Sequence, residues 1–238
     1  MPDIAAPMDE AQLPPGVSPL SEADAAARSR RVIRCVVALM LYQGFTIAIL
    51  GTGAPWIARS FGLDQSGIAR TFAWVSLSAF GALALSRMVD RVGRRRVVLW
   101  SMLGTPLSAL GAALAPHVGW LIVSSIFMFA FLGATIASGI VMLAEELAVD
   151  DRAKGQSYAA LAGSLGAGLC ILVMPLLARS TYSWRLLFGI SALGIALWPT
   201  MLRLVPESRR WERAAAAGLR REPVFTRSSI RRIAAAPW

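Results

Sequence analysis

Ser86-Arg87-Met88-Val89-Asp90-Arg91-Val92-Gly93-Arg94-Arg95-Arg96 lies between two long apolar runs, 66–85 and 97–114. Five arginines in eleven residues are excluded from hydrocarbon, since a single Arg at the centre of a spanning helix costs roughly 2.5–3.5 kcal/mol on insertion scales. The stretch is therefore expected to be a short, strongly basic loop between two membrane helices, and to fix which side of the membrane is which.

The rest of the chain agrees with that reading. Apolar residues make up 56% of the 238, and charged residues only 16%. Soluble domains run at about 45–50% apolar and about 25% charged. The apolar excess falls in six runs, about 35–57, 66–85, 97–114, 118–144, 157–177 and 186–202. Each is about long enough to cross ~30 Å of hydrocarbon at ~1.5 Å per helical residue. The expected fold class is an all-α membrane protein of six transmembrane helices. Residues 1–31 read as a disordered tail, rich in Pro, Ala and acidic groups at its start, with no positive region ahead of an apolar core that would mark a cleaved leader. Residues 32–205 read as the bundle and 206–238 as a basic tail.

The net charge of +10 comes from 24 basic and 14 acidic residues. On a soluble protein it would point to nucleic acid. Here the basic groups cluster in loops on one side, so no nucleic-acid partner is expected. The N-terminus, the second and fourth connections and the C-terminal tail together hold twenty basic residues; the other side holds Arg59, Arg70, Arg179 and Arg185. The positive-inside rule then places both termini in the cytoplasm, in a cell inner or plasma membrane. Trp56, Trp120 and Trp184 fall at the outer ends of runs, as in an aromatic belt. The basic side is also suited to anionic lipid of the inner leaflet, at about 1 kcal/mol per Arg near the surface.

Chemistry inside the runs is sparse. None contains Asp or Glu, the usual intramembrane proton carriers. Tyr42, Gln43 and Thr46 in the first run and Ser138 in the fourth are candidates to face a substrate; the alternative is that they are polar glue between helices. Arg70 either snorkels to the interface or attracts anions at the outer mouth. Cys35 and Cys170 each sit alone in an apolar run and read as small packing residues, with no disulfide, metal or cofactor spacing. An intramembrane serine protease would need Ser and His in reach of each other. The one histidine, His117, lies in an outer loop, so no enzyme is expected.

The basic stretch resembles the loop 2–3 signature of the major facilitator superfamily, G-x-x-x-D-R-x-G-R-R/K, with Ser86 where the family usually has Gly. Glu145 followed seven residues later by Arg152 resembles the family's loop 4–5 pattern. Pro206-Glu207-Ser208-Arg209-Arg210-Trp211 resembles the P-E-S-x-R-W ending of the N-terminal half in sugar and organic-acid members. Ser183-Trp184-Arg185 is also family-like, and Gln43-Gly44-Phe45-Thr46 sits where aromatic-acid transporters often show D-G-F-D. The resemblance spans about 28–211.

It implies the N-terminal six-helix half of the family fold, working by alternating access on a small solute, a sugar or an organic acid. Asp90, Arg91, Gly93, Arg94 and Arg95 would be the conformational-switch motif, with Asp90 latching onto the other half. Glu145 and Arg152 would be a gating charge pair, and Pro206, Glu207, Ser208 and Arg210 the inter-half motif. The partner would be a second six-helix half or a second copy of the chain. With Gln43 and Thr46 where aromatic-acid members carry two Asp, proton coupling lies in another half, or transport is facilitated diffusion. Two alternatives stay open: a non-transporting membrane fragment or scaffold, and drug efflux. Efflux is disfavoured by Phe129 in place of a span 4 Arg and by a Gly163–Gly168 stretch without the associated Pro.

Overall fold

The computed structural model describes residues 22–199 apart from 93, 148, 179 and 180. Its elements are α1 (Glu22–Phe61), α2 (Gln65–Val75), α3 (Ser78–Val92), α4 (Arg94–Ala113), α5 (Val118–Glu146), α6 (Val149–Leu177), α7 (Trp184–Ala192) and a 3-10 turn (Leu193–Leu197). Every element among the described residues is helical.

Helix reaches further into the polar stretches than the sequence reading expects. The basic stretch is not an open loop: α3 runs to Val92 and α4 begins at Arg94. The connection expected between the runs 118–144 and 157–177 is likewise helical from Val149. The supposed tail joins α1 from Glu22. The physical reason is common to all three, because Arg, Ala and Glu are good helix formers and polarity alone does not end a helix. The run 66–85 differs in the opposite sense. It breaks at Ser76–Leu77 between α2 and α3, where Ser76 Oγ donates to the Phe72 carbonyl at 2.9 Å and the backbone bonds tighten to the 3-10 pattern. Such back-bonding competes with the helical ladder and bends it.

At the other end of α1, Gly62 takes φ of 63°, a left-handed conformation open to glycine, and turns the chain towards α2. Asp64 caps α2, accepting from the Gly67 amide at 2.7 Å and from the Ser66 hydroxyl at 2.8 Å. These two bonds, the Ser66 hydroxyl first, hold its carboxyl below the usual carboxylate range.

Four helical stretches have the length and apolarity to cross a bilayer: Ser29–Phe61, Gln65–Met88, Val118–Val141 and Arg152–Leu177. Val97–Ala113 and Trp184–Ala196 are shorter apolar helices. α1 lies along α6, α5 packs on both α3 and α4, and α7 rests on α4. Large apolar side chains such as Phe80, Leu172 and Leu176 are exposed, the last at 73%. That surface suits hydrocarbon and not water.

The core has two apolar clusters. One joins Val32, Val36, Leu39, Val98, Met102, Leu143 and Ala162. The other joins Ile49, Ile57, Ala109, Leu121, Met128, Cys170, Trp184 and Phe188. Trp184 is fully buried there, tilted against Phe61 and edge-on to Phe188. It is a core residue rather than the interfacial belt residue its position suggests. Trp120, by contrast, is exposed and donates to the Gly111 carbonyl at 3.0 Å.

Candidate functional site

On α1, α4 and α5 the segments that feed the two apolar clusters are separated by buried polar residues. These are Gln43 and Thr46 on α1, Thr105 on α4, and Thr135 and Ser138 on α5. A polar layer therefore crosses the middle of the bundle. Helical sequence dictates part of its chemistry: Thr46, Thr105 and Thr135 donate back to the carbonyls of Tyr42, Ser101 and Phe131 at 2.8–3.0 Å. A threonine that does this satisfies its own donor within the helix.

The remaining polar atoms divide into joined and unjoined. Tyr42 and Thr46 both reach Ser191 on α7. The Tyr42 hydroxyl donates to the Ser191 carbonyl at 3.1 Å, and Thr46 Oγ1 lies 2.9 Å from Ser191 Oγ. Gln43, 2% exposed, and Ser138, 4% exposed, behave differently: Gln43 Oε1 and Ser138 Oγ are buried without a hydrogen-bond partner, as is Ser101 Oγ. An acceptor or hydroxyl left in that state costs about 1–3 kcal/mol relative to a bonded one. The four candidates thus lie in one layer, two of them tied to α7 and two with unused bonding capacity. The sequence signal for Ser191 was faint, a lone Ser on a short apolar helix.

The charged candidates lie at the helix ends. Asp90 and Arg91 fall in the last turn of α3, and Arg94 and Arg95 in the first turn of α4; their side chains, and Gly93, lie outside the described residues. Glu145 is in the last turn of α5, its side chain also outside them. Arg152 Nε donates to the Leu147 carbonyl at 3.1 Å and so caps the end of α5. Pro206, Glu207, Ser208 and Arg210 lie outside the described residues. No cluster of His, Cys, Asp and Glu suited to a metal occurs among the described residues.

Arg185, which the sequence places just ahead of the run 186–202, is a clamp between helix ends. Arg185, in the first turn of α7, donates through Nη1 and Nη2 to the Ala113 and Ala115 carbonyls at 3.2 and 2.7 Å. Those carbonyls close α4, where the helix dipole is negative. The guanidinium stacks 5.0 Å from the Trp184 ring and 5.5 Å from that of Tyr182. Beside it, Trp184 Nε1 donates to Ser60 Oγ, which donates to the Thr181 carbonyl, both at 2.8 Å. The ends of α1, α4 and α7 are tied together there.

Long apolar helices, an apolar exterior and a neutral polar layer define a polytopic α-helical membrane protein. The chain belongs to the Major Facilitator Superfamily, whose sequence profile matches residues 35–238. It is 30% identical to the gallate transporter of Pseudomonas putida, over 73% of this chain and 39% of that protein. It is 26% identical to the 3-(3-hydroxy-phenyl)propionate transporter of Escherichia coli, over 73% of this chain and 42% of that one. The chain therefore spans about two fifths of the length of these curated relatives. The fold is similar to that of the proton:xylose symporter XylE bound to 6-bromo-6-deoxy-D-glucose, with a TM-score of 0.69 and 19% identity over 82% of this chain and 48% of that one.

Proposed function

We propose that this chain is the six-span, N-terminal half of a transporter for a sugar or small organic acid, and that it works with a second six-helix half by alternating access. The observation that carries this is the family match over residues 35–238; the described residues hold four apolar helices of spanning length, the first beginning at Ser29 just ahead of the match, and two shorter ones. Relatives that carry gallate and 3-(3-hydroxy-phenyl)propionate, and the fold likeness to a xylose symporter, support the solute class. The need for a second half is supported by the two fifths of those relatives that the chain covers, and by the poor burial of two spans. Only 11% of the 18-residue apolar core of Gln65–Met88 and 22% of that of Arg152–Leu177 is buried, against 50% for that of Ser29–Phe61. Those two spans have the most surface left to cover with lipid or a partner.

In this reading both ends are cytoplasmic, on the side that holds the basic connections. Asp90, Arg91, Gly93, Arg94 and Arg95 form the conformational switch, Glu145 and Arg152 a gating pair, and Pro206, Glu207, Ser208 and Arg210 the connection to the second half. The arginines of that side also bind anionic lipid. Gln43 and Ser138 supply the hydrogen-bonding groups of this half, with Tyr42 and Thr46 beside them. None of the six apolar helices holds an Asp or Glu, so this half contributes no intramembrane proton carrier.

Uptake into proteoliposomes tests the proposal. Vesicles holding the chain together with the C-terminal half of the gallate transporter are expected to accumulate labelled gallate, 3-(3-hydroxyphenyl)propionate or xylose above empty vesicles. Asp90→Asn in the same pair is expected to cut that flux at least tenfold. Uptake of none of the three by the pair contradicts the proposal.

A further inference from the structure

α7 changes character just after Ser191. The α-helix Trp184–Ala192 passes directly into the five-residue 3-10 turn Leu193–Leu197, and the join faces Tyr42 of α1. The Tyr42 hydroxyl donates to the Ser191 carbonyl at 3.1 Å. Thr46 Oγ1 donates to the Tyr42 carbonyl and, 2.9 Å from Ser191 Oγ, is left to accept from it. Further along, Gly194 faces the Tyr42 ring: a Cβ there would come within 2.6 Å of Cε2, 2.7 Å of Cζ and 2.8 Å of the hydroxyl oxygen. The Tyr42 side chain occupies the room a side chain at 194 would need.

In an unbroken α-helix the Ser191 carbonyl accepts the amide of Ile195. A hydroxyl aimed at the same oxygen competes for it, and insertion of a side chain into the ladder is a recognised cause of helix distortion. The bonds beyond the join follow the shorter register, as the Trp198 amide donates to the Ile195 carbonyl. Both ends of this helix are tied to α4: Arg185 to the Ala113 and Ala115 carbonyls, and Trp198 Nε1 to the Leu99 carbonyl at 3.1 Å. Five residues in 3-10 form span about 2.5 Å more than in α form. A change of form therefore slides one end of α7 along α4.

We propose that Tyr42 is a conformational latch: its hydroxyl holds 193–197 in the 3-10 form, and its release lets the segment shorten to α-helix and draws Trp198 along α4 towards the Arg185 end. Short 3-10 stretches within helices often mark such hinges. The latch links α1 to α4 through α7 and does not depend on which solute, if any, the chain moves.

The test is the backbone form of 193–197, read from carbon-13 chemical shifts by solid-state NMR on the full chain in lipid bilayers. The unaltered chain is expected to show 3-10 shifts there. Tyr42→Phe keeps the ring and removes the donor, and the shifts are expected to move to α-helical values. Ser191→Ala keeps the carbonyl and is expected to leave them in place. Gly194→Ala puts a methyl where the ring lies, evicts the hydroxyl and is expected to act like Tyr42→Phe. Retention of 3-10 shifts in Tyr42→Phe overturns the proposal, as does an equal move in Ser191→Ala. If Tyr42→Phe does not fold, Gly194→Ala decides: α-helical shifts support the latch and 3-10 shifts overturn it.

Discussion

Two helix crossings in this bundle are built on glycine, and they are built differently. Where α1 meets α6, backbone meets backbone: a Cβ on Gly44 would run into the carbonyl of Gly163, and one on Gly166 into that of Leu41. Where α3 meets α5, glycine meets methyl. A Cβ on Gly81 would come 2.8 Å from the Ala130 Cβ, and one on Gly133 2.8 Å from the Ala82 Cβ. Small residues let membrane helices approach closely in both cases. At α1–α6 the obstacle is a main chain that has nowhere to go; at α3–α5 it is a side chain that can be removed. The first crossing should be rigid and the second repairable.

The largest effect is therefore expected at the first crossing. Gly44→Val or Gly166→Val should destabilise by the upper end of the about 1–3 kcal/mol typical of overpacking or beyond it, read as loss of folded protein in an SDS unfolding titration. No single truncation on the facing helix should restore it. Gly133→Ala should cost less, about 1–2 kcal/mol, and Ala82→Gly in the same chain should recover most of that; Gly81→Ala with Ala130→Gly should behave alike. Failure of both rescues would erase the distinction between the crossings. Arg185→Gln removes two charge-assisted bonds to the end of α4, each worth about 1.5–3 kcal/mol when made to a charged group. A partial replacement by water should hold the observed loss to about 1–3 kcal/mol, with Arg185→Lys intermediate because an ammonium cannot fork across two carbonyls.

The smallest effect belongs to Asp64. Its folded carboxyl lies below the usual range, so its contribution is fully present above about pH 4, the ordinary Asp value, and is lost as pH falls through the lowered folded value. Asp64→Ala should lower the melting temperature slightly at pH 7 and by less at pH 2. An equal loss at both pH values would show that its charge and capping bonds do not matter there.

Much of this was legible in the sequence because a bilayer leaves few choices. Long apolar runs must be helical, since backbone groups have no other partner in hydrocarbon. Helix ends were harder to read. The stretch 86–96 is polar enough to mark a boundary, but its residues favour helix, so α3 runs on to Val92 and α4 begins already at Arg94. The break at Ser76 went the other way, since nothing in a lone serine announces that it will bond to Phe72. The polar layer was half legible: Tyr42, Gln43 and Thr46 share helical spacing, but Ser191 and Thr105 stand in ordinary apolar company. Arg185 and Trp184 look from sequence like residues of an outer edge, because burial under three converging helix ends is a tertiary fact.

The most direct test of the six-span arrangement is the side of the membrane on which each helix connection lies. Single cysteines at Arg30, Gly62, Met88, His117, Lys154 and Tyr182, in a chain with Cys35 and Cys170 replaced by Ser, can be labelled from outside intact cells with an impermeant maleimide. Positions 62, 117 and 182 are expected to label, and 30, 88 and 154 only after the membrane is opened. Labelling of 88 and 117 from the same side would mean that α4 does not cross, and labelling of 30 from outside would reverse the topology; either result contradicts the account.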